Sequence, residues 1–306
     1  MPLRHSLLAV LVMLIWGANF LAIDLGVGDV PPVLFVAIRF VVVLIPAIFL
    51  VPRPAAGWKD VLVVGLFLSL GQFALLYTAM WLGMPPGLAS LVLQAQVVLT
   101  VLFATVALRE RPTTPQLVGV LLGAVGLVIV GIGRSAATPG FAFLLTIAAA
   151  ASWATGNVIV RRLGSVTQAA GTRQSPLAGL SMTVWSALVV PVPMFALALV
   201  LDGPAAVGYS LTHPTWAAVL STLYTAWLAS LVGYGVWNTL LDRYRASAVV
   251  PFTMLVPVVG MTAAWLVQGE VPNVAEAGGG LLLLLGVAIT SGLLRWPGGQ
   301  RYSPST

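Results

Sequence analysis

Ten apolar runs of about twenty residues follow one another along this chain, and a run of that length is what an α-helix needs to cross the hydrocarbon core of a bilayer. They lie near residues 6–27, 33–51, 58–81, 85–108, 114–133, 140–161, 178–201, 214–237, 246–268 and 274–294. Prolines mark most connections, from Pro31-Pro32 through Pro85-Pro86 and Pro112 to Pro272. Charged residues make up 7% of the 306, against roughly a quarter in a soluble domain. So few charges cannot cover a water-facing surface, so the surface faces lipid, and the net charge of +6 does not point to nucleic acid. The absence of cysteine excludes disulfides, thiol catalysis and Cys-ligated metal. The first run begins like a signal peptide after Met1 to His5. It continues to about Gly26 with no small-residue cleavage site, so it reads as the first span.

Lysine and arginine fix the direction. With the N-terminus inside, twelve of the fourteen fall in inner connections or the inner terminal segments, Arg134 alone falls outside, and Arg39 lies within span two. The positive-inside rule therefore places both termini in the cytoplasm, as an even number of spans requires. The halves carry the same marks. Trp16 in span one matches Trp153 in span six, and Glu110-Arg111-Pro112 matches Glu270-Val271-Pro272. Gly119 and Gly126 recur 160 residues on, as Gly279 and Gly286. Five spans per half is an odd number, so the second half runs inverted, an arrangement that sets kinked helices face to face at the bilayer midplane. The expected fold is an all-α integral membrane protein of two inverted five-helix repeats, 1–135 and 136–296. A polar loop at about 162–177 is expected, and a flexible tail from 297.

The residues Trp16-Gly17-Ala18-Asn19-Phe20, Arg39-Phe40, Tyr77-Thr78-Ala79, Ala89-Ser90, Arg109-Glu110-Arg111-Pro112 and the Gly119/Gly123/Gly126 ladder resemble the drug/metabolite transporter superfamily, in its ten-span branch with duplicated EamA domains. Trp153, Asn157, Ala248, Pro257, Glu270-x-Pro272 and Gly286 continue the likeness through the second half. The resemblance implies a multi-pass transporter of a bacterial-type inner membrane, working by alternating access on a small molecule without a cofactor, as a monomer or weak homo-oligomer. Within the superfamily the chain looks most like the YddG-type exporters of aromatic amino acids. It departs from the pattern at Val97, which stands where the family repeats carry proline, so a straighter first-half helix is expected there.

Polar and aromatic side chains at mid-span need a partner or an aqueous cavity. The candidate substrate ligands are Trp16, Asn19, Tyr77, Thr78, Trp81, Gln94, Gln96, Trp153, Asn157, Trp185, Tyr234 and Asn238. Trp16 with Asn19, Trp153 with Asn157, Tyr77 with Trp81 and Tyr234 with Asn238 share helix faces. Aromatics facing inward can sandwich a ring, and amides can hold a zwitterion. The alternatives are interhelical bonding for Gln94 and Gln96, bundle packing for Trp16, Trp153, Trp185 and Trp227, and an interfacial belt for Trp58, Trp81, Trp237 and Trp296. Pro85, Pro86, Pro251 and Pro257 are candidate hinges, since proline frees a carbonyl one turn back; Pro191 and Pro193 read rather as a static kink in span seven. Arg39 either binds a substrate carboxylate or serves as a structural charge, snorkelling outward or pairing with Asp24, Asp29 or helix-end carbonyls.

All eight acidic residues and both histidines fall at span ends or in connections. A proton-driven antiporter needs a titratable group within the membrane, so a facilitator driven by its substrate gradient is expected. The small-residue faces of spans five and ten read as scaffold, and spans three, four, eight and nine as moving parts. An intramembrane protease would need a Gly-x-Ser-Gly or His-Glu-x-x-His motif, and neither occurs. A nucleotide-sugar carrier would need a basic pocket, and a multidrug antiporter a buried acid. A neutral amino acid with an apolar side chain, or another hydrophobic metabolite, fits the composition of the spans; a channel is the alternative of a different class.

Overall fold

The structure is a computed structural model that describes residues 1–169, 178–244 and 246–294. Among these residues every regular element is helical. Nine helices are long and apolar enough to cross a membrane: Leu3–Val27, Pro32–Leu50, Trp58–Trp81, Pro86–Ala107, Thr114–Gly133, Gly140–Leu163, Leu180–Leu201, Trp216–Leu241 and Val250–Gln268, spans one to nine below. A tenth, Val274–Thr290, is apolar and shorter. Local chemistry sets their starts. Thr113 and Gln116 form a capping box before span five, Asn273 and Glu276 form another before the tenth helix, and Pro86 opens span four at a position where a missing N–H costs nothing. Gly269, with φ at +70°, ends span nine.

Successive helices alternate in direction, so the bundle has two ends. Arg4, Arg53, Lys59, Arg109, Arg111, Arg161, Arg162 and Arg243 lie at the basic end. Asp24, Asp29, Asp202, Glu270 and Glu276 lie at the acidic end together with Arg134. A surface helix, Gly203–Thr212, fills the connection between spans seven and eight, started by Pro204 in its first turn. Span six continues as helix to Ala169, through half of the expected polar loop. The rest of that loop and the expected tail lie outside the described residues.

Span five and the tenth helix meet through facing glycines. A Cβ on Gly119 would stand 2.6 Å from the Gly286 carbonyl oxygen, and one on Gly126 would stand 2.5 Å from that of Gly279. The contacts are reciprocal, because Gly286 meets Gly119 and Gly279 meets Gly126. The helices therefore run antiparallel at a backbone separation that only glycine permits.

Spans three, four and eight are irregular within their length, and span nine at its start. Span three turns to π-helix over Leu66–Gly71 and span eight over Tyr224–Gly233. Span nine is a 3₁₀ helix over Val250–Met254 before its α-helix begins at Leu255. Span four breaks too, between Val92 and Ala95, so the expectation of a straighter helix at Val97 is overturned. No proline is required. The amides of Gln94, Gln96 and Val97 bond three residues back, and the Gln94 side chain donates to the Thr253 carbonyl in the irregular part of span nine at 3.4 Å.

Candidate substrate site

Arg39 sits on span two and is 2% exposed. Its Nη1 donates to the Tyr77 hydroxyl at 2.8 Å and its Nη2 to the Ser230 hydroxyl at 3.1 Å. Phe73 and Tyr77, four residues apart on one face of span three, lay their rings beside it, and the guanidinium carbon is 4.1 Å from the Phe73 centroid. Ser230 lies in the π-helical part of span eight and donates to the carbonyl of Thr225, five residues back. Neither structural pairing expected for Arg39 is present. Asp24 accepts from Gln268, Asp29 accepts from Thr215, and the arginine points into the bundle. Among the described residues no carboxylate forms an ion pair with it, and its Nε is buried without a partner. A cation out of water with only neutral partners is costly.

On the other side of the same π-helical segment Trp16 donates from Nε1 to the Ala229 carbonyl at 2.9 Å. Its ring packs against Tyr234 at 5.1 Å and Trp237 at 5.5 Å between centroids. Asn19 Oδ1 on span one and Asn238 Nδ2 on span eight are buried and unpaired, an acceptor and a donor each one turn from this aromatic cluster. Trp237 was expected in the interfacial belt and is buried instead, because the aromatic face of span eight turns toward span one.

The expected amide residues meet across spans four and six. Asn157 Nδ2 donates to Gln96 Oε1 at 3.0 Å, with Thr100 beside it, so both amides take part in an interhelical bond. Trp153 is half-buried one turn away and packs on the main core, and Thr78 is half-buried on span three. Pro257 is buried in the first turn of the α-helical part of span nine, and Pro251 lies in the 3₁₀ stretch before it.

Three tryptophans stand apart. Trp81 is 56% exposed at the end of span three. Trp185 donates to the Val51 carbonyl at 3.0 Å and leans on Trp58, so it caps the basic end of span two rather than lining a centre. Trp227, expected at depth, is 47% exposed and bonds the Val42 carbonyl. Trp296 lies outside the described residues.

The two ends differ. At the acidic end Glu270 reaches across to span four, where Gly87 N–H donates to Oε2 at 3.0 Å and Leu88 N–H to Oε1 at 3.1 Å. Pro85 and Pro86 thus place two free amides under a carboxylate. Below this contact Gly260 of span nine lies against Ser90 of span four. The remaining crevice, among Leu88, Met261, Glu270, Pro272 and Glu276, holds about 10 Å³, scarcely one water. Burial pushes the Glu270 carboxyl above the usual carboxylate range. Glu276 and Asp24 add to the rise, and the two amide bonds oppose it. At the basic end a cleft of about 180 Å³ opens between spans one and eight, lined by His5, Leu8, Gly235, Val236, Thr239, Leu240 and Arg243. There Glu110 pairs with Arg161 at 3.0 Å, both side chains well exposed. Among the described residues no cluster of His, Asp and Glu is arranged to hold a metal ion.

Sequence reasoning missed Phe73, Ser230 and the contact made by Glu270. The Phe73/Tyr77 spacing was a usable signal. Ser230 was not, because nothing in a run of small residues announces a π-helix.

The pattern of the EamA-like transporter family matches residues 3–132 and 140–292. The chain is 39% identical over 300 residues to a protein of Escherichia coli strain K12 named "Probable amino-acid metabolite efflux pump", covering 97% of each. It is 39% identical over 294 residues to a Salmonella typhimurium protein of the same name, covering 94% of this chain and 95% of that one. A "Probable terminal-alkyne amino-acid exporter" of Streptantibioticus cattleyicolor is 28% identical over 258 residues, 84% of this chain and 80% of that one. One solved crystal structure superposes with a TM-score of 0.61 at 22% identity, covering 95% of this chain and 98% of the other, a likeness of fold.

Proposed function

The chain belongs to the EamA-like transporter family, and we propose that it exports amino acids with aromatic or other hydrophobic side chains by alternating access. It is a transporter rather than an enzyme, and a multi-pass protein of the inner membrane. Its relatives' names support export of amino-acid-like metabolites. The observation that carries the finer reading is Arg39, a buried arginine with a free Nε and, among the described residues, no acid paired with it, walled by Phe73 and Tyr77. A substrate carboxylate supplies the missing anion. The unpaired oxygen of Asn19 suits an ammonium group, and the Trp16/Tyr234/Trp237 cluster suits an apolar side chain.

The reciprocal glycine seam supports the inverted-repeat reading, because a two-fold axis makes two matched positions contact each other's counterparts. So does the restart of α-helix at Ala95 in span four and at Leu255 in span nine, 160 residues apart. The shut acidic end and the cleft at the basic end support the reading of a form open to the cytoplasm, where an exporter loads. The acids whose side chains are described lie near the span ends, so the driving force is the substrate gradient.

Counterflow in proteoliposomes tests this reading. Labelled phenylalanine should enter saturably when vesicles hold unlabelled phenylalanine, tryptophan or methionine, whether or not a pH gradient is imposed. No uptake of any amino acid, with flux of other hydrophobic metabolites or drugs, would retire the substrate and keep the fold. Unsaturable flux without trans-stimulation would indicate a channel, and flux that strictly follows the pH gradient would remove the facilitator mechanism.

A further inference from the structure

Every carboxylate of the chain lies in a connection or within about a turn of a helix end. Asp24, in the last turn of span one, accepts from Gln268. Arg39 is the one charged side chain further inside a span. Its partners are the hydroxyls of Tyr77 and Ser230 and the ring of Phe73, all neutral. The unpaired atoms on spans one and eight, Asn19 Oδ1 and Asn238 Nδ2, belong to amides. They can take hydrogen bonds but balance no charge. Among the described residues, the site therefore carries one positive charge and nothing to neutralise it.

That sum discriminates between ligands. A monocarboxylate anion brings it to zero. A zwitterion also gives its carboxylate to the guanidinium, but its ammonium group then stands close to the same cation with no acid to receive it. Like charges about 6 Å apart at an effective dielectric of about 20 weaken binding by on the order of a hundredfold. The Asn19 oxygen, a dipole rather than a charge, returns part of this and leaves a difference on the order of tenfold. The donor that Asn19 Oδ1 lacks need not be charged, because a hydroxyl or an amide N–H serves equally. The cleft at the basic end has the same sign. Arg243 lines it and no carboxylate does, and Arg4 and the terminal ammonium stand near its His5 wall. Such a mouth gathers anions.

We infer that the site prefers monoanionic carboxylates to amino acids: α-hydroxy acids and N-acyl amino acids with apolar side chains, in which a neutral donor replaces the ammonium group. This rests on the reading of Arg39 as a carboxylate anchor and adds the net charge of the ligand. It also bears on how export is driven. Arg39 returns with the protein in each cycle, so the net charge moved is that of the ligand alone. A zwitterion moves none and follows only its own gradient. A monoanion leaving a cell that is negative inside is driven outward by the membrane potential, by about fiftyfold in concentration for each 100 mV. Such a transporter works uphill without any acid titrating at the midplane.

Phenyllactate isolates the charge, because it is phenylalanine with a hydroxyl in place of the ammonium group. Full-length protein in proteoliposomes, at equal pH on both sides, is offered labelled phenyllactate or labelled phenylalanine. Potassium and valinomycin set the potential, and the uptake of protein-free vesicles is subtracted. Phenyllactate should inhibit phenylalanine counterflow at a concentration on the order of tenfold lower than unlabelled phenylalanine does. Its plateau should rise about fiftyfold at about 100 mV positive inside, while the phenylalanine plateau stays where it was. Asn19→Asp supplies a negative charge at the unpaired oxygen and should move the order of the two competitors toward phenylalanine. If that variant does not fold, the native comparison stands without it. Phenylalanine competing as well as phenyllactate or better, a phenyllactate plateau that ignores the potential, or an unmoved order in folded Asn19→Asp overturns the inference and leaves amino-acid export in place. Phenyllactate flux without phenylalanine flux supports the anion class and the Arg39 anchor and retires the amino acids as cargo. Flux of neither compound removes both readings.

Discussion

Replacing Arg39 with methionine separates a structural cation from a substrate anchor. The guanidinium makes two charge-assisted hydrogen bonds, at 2.8 and 3.1 Å, each worth about 1.5–3 kcal/mol. Its cation–π contact with Phe73 at 4.1 Å adds about 2 kcal/mol for a desolvated pair. Removing the guanidinium therefore forfeits about 5–8 kcal/mol of interaction. Against this, the folded protein no longer holds a cation out of water, which recovers several kcal/mol. The groups left behind are not orphaned, because Ser230 still donates to the Thr225 carbonyl at 2.8 Å and Thr225 also stands beside the Tyr77 hydroxyl. An unbranched apolar side chain refills the space beside Phe40, Phe73 and Tyr77. The net change in stability should fall within about 2 kcal/mol of zero, a shift of at most about 8 °C in Tm for a chain of this size. Binding is a different matter. Removing a bidentate bond to a carboxylate in a desolvated site costs about 3 kcal/mol, or roughly a hundredfold. The assay compares phenylalanine with phenylalaninamide as competitors of phenylalanine counterflow, alongside thermal unfolding of the purified protein. Native protein should prefer the acid strongly, and Arg39→Met should erase the preference with little change in Tm. A large fall in Tm together with an intact preference for the acid would refute the anchor role.

Gly126→Val should destabilise by about 1–3 kcal/mol or abolish folding, because its side chain would meet the Gly279 carbonyl. Gly278→Ala, with nothing within 4 Å of its new methyl group, should leave the unfolding temperature unchanged or slightly raised. Trp185→Phe should cost about 1 kcal/mol, because phenylalanine cannot donate to the Val51 carbonyl, and should leave substrate KM unaltered; a changed KM would return Trp185 to the site. Glu270 gives a pH dependence with a definite sign. Burial raises its carboxyl in the shut form, and opening to water would return it to about 4.3. The form with the raised value binds the proton more tightly, so acidification through that value favours the shut form. Labelling of a cysteine put in place of Ser90 (Ser90→Cys) from the acidic side, divided at each pH by that of the unfolded protein to remove the loss of thiolate, should therefore fall as pH is lowered from neutral to about 5, and the normalised trend should vanish in Glu270→Gln. A rise on acidification would contradict it.

The spans were legible because length and hydropathy alone define them. The starts of spans four and five and of the tenth helix, at Pro86, Thr114 and Val274, lie where proline or capping residues place them. Side-chain direction was much less legible, for a reason particular to membranes. A soluble helix advertises its buried face by the polar residues opposite, but here lipid is as apolar as the core, and both faces carry the same residue types. Trp227 and Trp237 lie on one span ten residues apart; the sequence reading put the first inside the bundle and the second in the interfacial belt, yet the first faces outward and the second packs on Trp16. The break in span four was hidden because it depends on the Gln94 to Thr253 bond between halves, not on a local breaker. Glu270 was visible as a repeat mark, but its role depends on Gly87 and Leu88, which lie 183 and 182 residues away in sequence.

The glycine seam has a consequence for genetics. Most damaging substitutions in a packed interior can be suppressed elsewhere, by shrinking the neighbour that the new side chain strikes. Gly119 faces Gly286 and Gly126 faces Gly279, and no coded residue is smaller than the partner already there. A selection for suppressors of a bulky change at any of these four positions should return true revertants at that codon, not second-site changes across the seam.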